Sequence, residues 1–349
     1  MNLILPAISA LFATLLATTP TVLLAKRFKL VDSPKTRPHP AHTQSRTVPR
    51  AGGLPVFIGI ILAILLFTPF EKTTCGILLG LTILLVVGLL DDKYQNLSPY
   101  FRLITQFLAA TVVVASGVNI HFITNPLGGI INFDSVFLLA DILAIFWIVW
   151  IMNMVNWSKG VDGQMPGIIC VAAIILGLLA LKLNLLGDPS QLTVVKLAFI
   201  TAGSAFALLI VNWHPAKIFP GFSGSTILGF MIAVLAILSG GKLATAILTL
   251  LIPATDFAYT FFRRILQGKS PVWGDKGHLH HKLFQMGLSH QQIALFYILG
   301  SVILGATALS LSSSGKLFAN LLVGATILGG ILWLNFFGQL SKPQGPNSG

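Results

Sequence analysis

Eleven stretches of this chain are apolar over enough length to cross a bilayer, and that constraint leaves few folds open. They run at about residues 3–25, 53–70, 74–90, 102–118, 136–153, 166–186, 192–211, 225–240, 243–262, 291–311 and 317–338. In hydrocarbon, backbone N–H and C=O groups must be paired inside the segment itself, which makes each run a helix. The expected fold is an all-α polytopic membrane protein of about eleven transmembrane helices. Composition agrees: 55% of residues are apolar, 9% are charged, and the mean hydropathy is +0.87, far from an ordinary soluble domain. The first run lacks a basic leader and passes straight into the next segment, so it reads as a span and not a cleaved signal. Cys75 and Cys170 lie at or within apolar runs, which leaves no disulfide framework or metal pair. No tandem repeat is evident. The chain is expected to be one integral membrane domain over residues 1–340 with a short tail at 341–349.

The cations orient the bundle. With the N-terminus outside, all of the 22 Lys and Arg residues fall on the cytoplasmic side except Lys72, Lys182, Lys196, Lys242 and Lys316, which lie at or near outer ends. This asymmetry predicts a cytoplasmic C-terminus. The net charge of +12 then belongs mostly to a surface facing anionic lipid, a better reading than nucleic-acid binding.

Polar residues concentrate where the spans end. The longest polar insert, Arg263–His290 (RRILQGKSPVWGDKGHLHHKLFQMGLSH), sets His278, His280 and His281 among Arg263, Arg264, Lys269, Lys276 and Lys282. Fixed positive charge beside imidazoles that donate or titrate suits an anionic ligand, although a loop that only fixes topology has the same composition. The third run ends in LLDDKYQNLSPYFRLITQ. Asp91 and Asp92 there face the negative end of their helix, an unfavourable place without a nearby cation. Adjacent acids at a membrane boundary mark ion or phosphate chemistry; the plain alternative is a solvated acidic cap. Asp256 sits about six residues from the cytoplasmic end of the ninth run, with Arg263–Arg264 as a candidate partner. Asp141, in the fifth run, reads as a helix–helix hydrogen-bonding group. Residues 119–135 form an outer loop whose Gly128–Gly129 suggests a hairpin.

Five loops together resemble one family. D-K-G-H-L-H-H-K-L-x-x-x-G-L-S-H in the histidine loop is similar, nearly position for position, to that of the polyprenyl-phosphate N-acetylhexosamine-1-phosphate transferases (glycosyltransferase family 4). These bacterial membrane enzymes start peptidoglycan-precursor, O-antigen and teichoic-acid assembly. Pro49–Gly53 resembles the family's P-R-x-G-G before the second span, where two glycines permit close backbone packing. LLDDKYQNLSPYFRLITQ resembles D-D-x-x-x-L-x-P-x-x-K-L-x-x-Q, with Leu97, Pro99 and Gln106 matching after a one-residue insertion. NMVNWSKGVDGQ follows N-x-x-N-x-x-D-G-x-D-G-L at Asn153, Asn156, Gly160, Asp162 and Gly163. NWHPAKIFPGFSGSTILGF resembles N-x-x-P-A-K-x-F-x-G-D-S-G-S-x-x-L-G-F along its length.

The resemblance covers about residues 30–300 and implies transfer of a sugar-1-phosphate from a UDP-N-acetylhexosamine to undecaprenyl phosphate, with release of UMP and with Mg²⁺ as cofactor. It implies the bacterial plasma membrane as location and a tendency to dimerise, as a homodimer or with an active homologue. By resemblance Asp91, Asp92 and Asp162 are catalytic, and Arg102, Asn156, Lys217, Asp256, His278, His280 and His281 hold substrate. The departures matter. Gln44 stands where the family has His, with His42 nearby, and Arg102 stands for Lys. Lys159 replaces the first Asp of its motif, and Phe222 replaces the Asp most directly associated with Mg²⁺. Lys offers only donors, and Phe offers no oxygen to a hard cation. The metal ligands are therefore left unassigned, and little Mg²⁺ affinity is expected. Two readings follow: a transferase, active or altered, and a catalytically impaired paralogue that binds UDP-sugar or carrier lipid, or scaffolds an active homologue. A secondary transporter is a remote third, because the polar clusters lie at cytoplasmic ends and not at the midplane of broken helices.

Overall fold

A computed structural model gives the fold and describes residues 3–33, 46–125, 128–134, 136, 138–240, 242–270 and 277–337. His42, Gln44, Lys276 and the tail at 341–349 lie outside the described residues. Each of the eleven predicted runs corresponds to helix, in the order α1 (Ile4–Arg27), α2 (Gly53–Phe67), α3 (Lys72–Tyr94), α4 (Pro99–Ala115), α5 (Leu139–Trp157), α6 (Gln164–Leu185), α7 (Gln191–Asn212), α8 (Gly221–Leu238), α9 (Leu243–Thr249), α10 (Leu251–Leu266), α11 (Leu279–Gln285), α12 (His290–Ser310) and α13 (Ser313–Phe337). Among the described residues, eight of these helices are long and apolar enough to cross a membrane; α2 and α4 are shorter apolar helices. The all-α polytopic membrane fold stands.

One predicted span is not continuous. The run at 243–262 is broken into α9 and α10, which meet at 87°. Pro253 has no N–H to return to the carbonyl of Thr249 four residues back, so the helical ladder opens there. Among the described residues, two small sheets accompany the helices. The antiparallel pair β1 (Val31–Asp32) and β2 (Val48–Pro49) closes the first loop, and β3 (Phe122–Thr124) with β4 (Ile130–Asn132) forms the hairpin expected in 119–135.

The bundle is organised around α8, in which every residue from Gly221 to Ile237 is buried, against α2, α3, α5 and α7 among others. Its outermost helix, α13, shows lipid-type side chains such as Phe318, Leu322 and Trp333. Lipid is as apolar as Leu, so helix association relies on close packing and interhelical hydrogen bonds. Asn153 donates to Gln106 at 2.8 Å between α5 and α4, and Trp147 donates to the Ala233 carbonyl at 3.1 Å. Asp141 takes Asn119 as partner, a loop residue and not another helix.

Two glycines set the position of the α8 N-terminus. A Cβ on Gly53 would come within 2.3 Å of Ser223 Oγ, and one on Gly88 within 2.5 Å of Ser223 Cα. Only glycine lets α2 and α3 grip the first turn of α8 this closely. The grip continues in the backbone, since Gly52 N–H donates to Phe219 O at 2.9 Å and Phe219 N–H to Pro49 O at 2.8 Å. Asp91 and Asp92 follow Gly88 by one helical turn, so α3 delivers them to the start of α8.

Candidate active site

Five polar loops meet at one end of the bundle, and their side chains form three adjoining clusters. The first surrounds the acid pair. Asp92 is wholly buried at the N-terminus of α8, where it accepts from Phe222 N–H (2.6 Å), Ser223 N–H (3.2 Å), Ser223 Oγ and Arg50 Nε (3.1 Å). An anion at a helix N-terminus complements the dipole, which offsets its unfavourable place at the end of α3. Gly221, at φ +70°, leaves room for it: a Cβ there would lie 2.3 Å from Asp92 Oδ2.

Asp91 is equally buried and is held by charge. Arg102 Nε lies 3.0 Å from its Oδ1 without hydrogen-bond geometry, and Arg50 Nη2 lies 3.8 Å from its Oδ2. Arg50 also reaches Asp32 at 3.8 Å. Burial works against its guanidinium charge, but Asp92, Asp32 and Asp91 together raise its pKa above the ordinary value. Lys159 donates to Asn156 Oδ1 (2.6 Å) and to the Gly221 carbonyl (3.1 Å), and Asn156 also accepts from Ser225 Oγ (2.9 Å). Burial, then the Arg50 guanidinium, pulls Lys159 down to about 7, against the opposing pull of Asp92 and Asp91. The Phe222 ring, itself buried, carries Arg102 at 5.6 Å and Lys159 at 5.9 Å.

The second cluster holds Asp162 apart from this pair. Its Oδ2 accepts from His214 Nδ1 at 2.7 Å and from the Ala216 amide at 3.2 Å. His214 stacks on His290 with centroids 4.3 Å apart and planes 14° from parallel. Asp162, His214 and His290 offer ligand atoms within 4.8 Å of one another. Near-parallel rings send their in-plane lone pairs side by side, and Asp162 is already committed to donors, so the trio is better read as a structural brace. Asn212 ties this cluster to the first, accepting from Gly163 N–H and donating to Ile218 O, both at 2.9 Å.

The third cluster is the histidine loop. Asp256 takes His278 Nδ1 (3.0 Å) and the Leu279 amide (2.7 Å) as partners, in place of the Arg263–Arg264 pairing expected from sequence. The Arg264 guanidinium instead lies over Trp157 at 4.6 Å, and Trp157 meets the edge of His278 at 5.5 Å. His280 packs against Gly160, where a Cβ would fall 2.2 Å from its Nε2. Burial, then its neighbours His281 and His278, hold the His280 pKa well below the ordinary value, so this imidazole is neutral and adds no fixed charge. Lys217 is exposed, on the loop before α8.

The residues expected from sequence thus gather at one end, in three groups. Arg50, the residue that bridges Asp32, Asp91 and Asp92, stands in the sequence only as part of a glycine-rich lead-in. A buried acid pair demands a cation from elsewhere in the chain, and that demand was the available signal. Nothing in the loop that carries His214 identifies Asp162 as its partner.

Comparison with known proteins accords with this architecture. The family model for glycosyl transferase family 4 matches residues 74–240. A probable undecaprenyl-phosphate N-acetylglucosaminyl 1-phosphate transferase of Bacillus subtilis (strain 168) is 32% identical, covering 86% of this chain and 83% of that protein. A decaprenyl-phosphate N-acetylglucosaminephosphotransferase of Mycolicibacterium smegmatis is 31% identical, over 88% and 82%. An undecaprenyl-phosphate alpha-N-acetylglucosaminyl 1-phosphate transferase of Haemophilus influenzae is 29% identical, over 81% and 79%.

Proposed function

The chain belongs to glycosyl transferase family 4, and from that premise we propose that it works on a UDP-N-acetylhexosamine and undecaprenyl phosphate in cell-envelope glycan synthesis. On this reading it sits in the bacterial plasma membrane with its N-terminus outside and its five polar loops in the cytoplasm. The reaction is sugar-1-phosphate transfer. A lipid-phosphate oxygen attacks the phosphorus that carries the sugar, the diphosphate bridge breaks, and UMP leaves with the bridging oxygen. The observation that carries the proposal is the buried pair Asp91 and Asp92 beneath Arg50, Arg102 and Lys159, because such partly exposed cations suit two phosphate-bearing substrates. Asn156, the Asp256-braced His278 and the exposed Lys217 complete the residues assigned to substrate.

A second reading is favoured by Lys159 and Phe222, which stand where the family resemblance expects acids: binding without turnover, as a sensor or as the partner of an active homologue. Both readings require substrate binding. Thermal unfolding of the purified protein in detergent should shift upward with UDP-N-acetylglucosamine and with undecaprenyl phosphate, by about 2.7 kcal/mol at a ligand concentration of 100 Kd. The shift should shrink as salt rises. If neither ligand stabilises the protein, both readings fail and only a scaffold for an active homologue remains.

A further inference from the structure

Mg²⁺ demands near-octahedral oxygen coordination at about 2.0–2.1 Å, and Asp92, Asp162 and Asp91, the acids that the resemblance makes catalytic, can be tested against that demand one by one. An ionised carboxylate has about four lone-pair sites, and Asp92 spends them on the Phe222 amide, the Ser223 amide, the Ser223 hydroxyl and Arg50. Asp162 is turned to His214 and Ala216. Of these three acids, only Asp91 has buried oxygens outside hydrogen bonds, and Arg102 at 3.0 Å with Arg50 at 3.8 Å already supply its countercharge. The Lys159 ammonium and the buried Phe222 ring occupy two further positions near the pair. A dication brought here would meet fixed cations and a spent donor set. These residues do not fit Mg²⁺.

The layering of charge points to what does fit. Both acids are 0% exposed, whereas the side chains of Arg50 and Arg102 are 17% and 28% exposed and Lys159 is half-buried. An approaching anion therefore meets the cations first. Of three ammonium donors, Lys159 spends two on Asn156 and Gly221 and keeps one. The Phe222 face steadies both Lys159 and Arg102 by cation–π contact.

We infer that this site binds the diphosphate of a nucleotide sugar through Lys159, Arg50 and Arg102, without Mg²⁺. The inference deepens the substrate reading above and rests on it. Lys159 does the work assigned elsewhere in the family to a divalent ion: it places positive charge beside the diphosphate, its ammonium held by Asn156 Oδ1 and by the Gly221 carbonyl at the start of α8. A protonation signature follows. Lys159 faces Arg50, Asp91, Asp92 and Arg102, with neutral His280 beyond Gly160, and it titrates near 7. A bound anion raises that value, so binding above neutral pH takes up a proton, and affinity falls as pH rises through 7 and deprotonates the free site.

Calorimetry of the full chain with UDP, in excess EDTA and in millimolar Mg²⁺, tests this. The expected affinities agree within about threefold, and Lys159→Gln weakens UDP by about tenfold (~1.4 kcal/mol) in both buffers. Lys159→Arg restores most of that loss, and buffers of different ionisation enthalpy report the proton uptake. Wild-type binding that vanishes in EDTA overturns the metal-free site while leaving the substrate reading intact. No UDP binding in either buffer overturns both. The wild-type arm decides the matter even if a Lys159 variant fails to fold.

Discussion

Arg50→Ala should lower the unfolding free energy by about 3 kcal/mol, on the order of 6 °C in melting temperature. Two acids with no exposure lose their shared guanidinium, and breaking a buried ion pair from one side leaves charge uncompensated. The figure is the lower end of what such losses cost, because Arg102 and the α8 amides remain and Arg50 is itself partly exposed. The backbone bridge between Arg50 and Phe219 survives the substitution, so the measurement isolates the side chain. Arg50→Lys keeps the charge but not the reach to Asp32, Asp91 and Asp92 together, and should fall between the two. An alanine variant that melts with the wild type would mean that Asp91 and Asp92 are neutralised by some other means.

The second large effect is a gain. Lys159→Asp with Phe222→Asp removes one half-buried cation and adds two carboxylates beside Asp91 and Asp92. In EDTA the double variant should melt well below the wild type, because like charges crowd a buried site. Mg²⁺ should then restore it, by about 2.7 kcal/mol at a metal concentration of 100 Kd, whereas the wild type should not respond. Lys159→Asp alone separates the loss of the ammonium from the gain of a second ligand. A double variant indifferent to Mg²⁺ would show that the shape of this site, and not its missing acids, excludes the metal.

Much of this molecule is legible in its sequence because hydrocarbon forces each apolar run to be helical, and all eleven runs became helix. The exception at 243–262 was also written there, in Pro253, but apolar length outweighed it. What periodicity does not carry is which loop meets which. Asp256 had two arginines nearby in sequence, yet its partner is His278, brought back across the chain by the histidine loop. Asp141 turned to Asn119 for the same reason. The three histidines read as imidazoles that donate or titrate, whereas packing against Gly160 buries His280 and holds it neutral. Arg50 was hidden by its setting, since a basic residue in a basic loop looks topogenic until the acids it serves are found.

The most direct test of a metal-free site is sugar-phosphate transfer itself. Purified protein is given UDP-N-acetylglucosamine labelled in its sugar-phosphate, together with undecaprenyl phosphate, in EDTA and in Mg²⁺, and label reaching the lipid is counted. The account predicts the same transfer in both, at whatever rate Arg50, Arg102 and Lys159 sustain. Transfer that rises steeply with Mg²⁺ and is abolished by EDTA would contradict it.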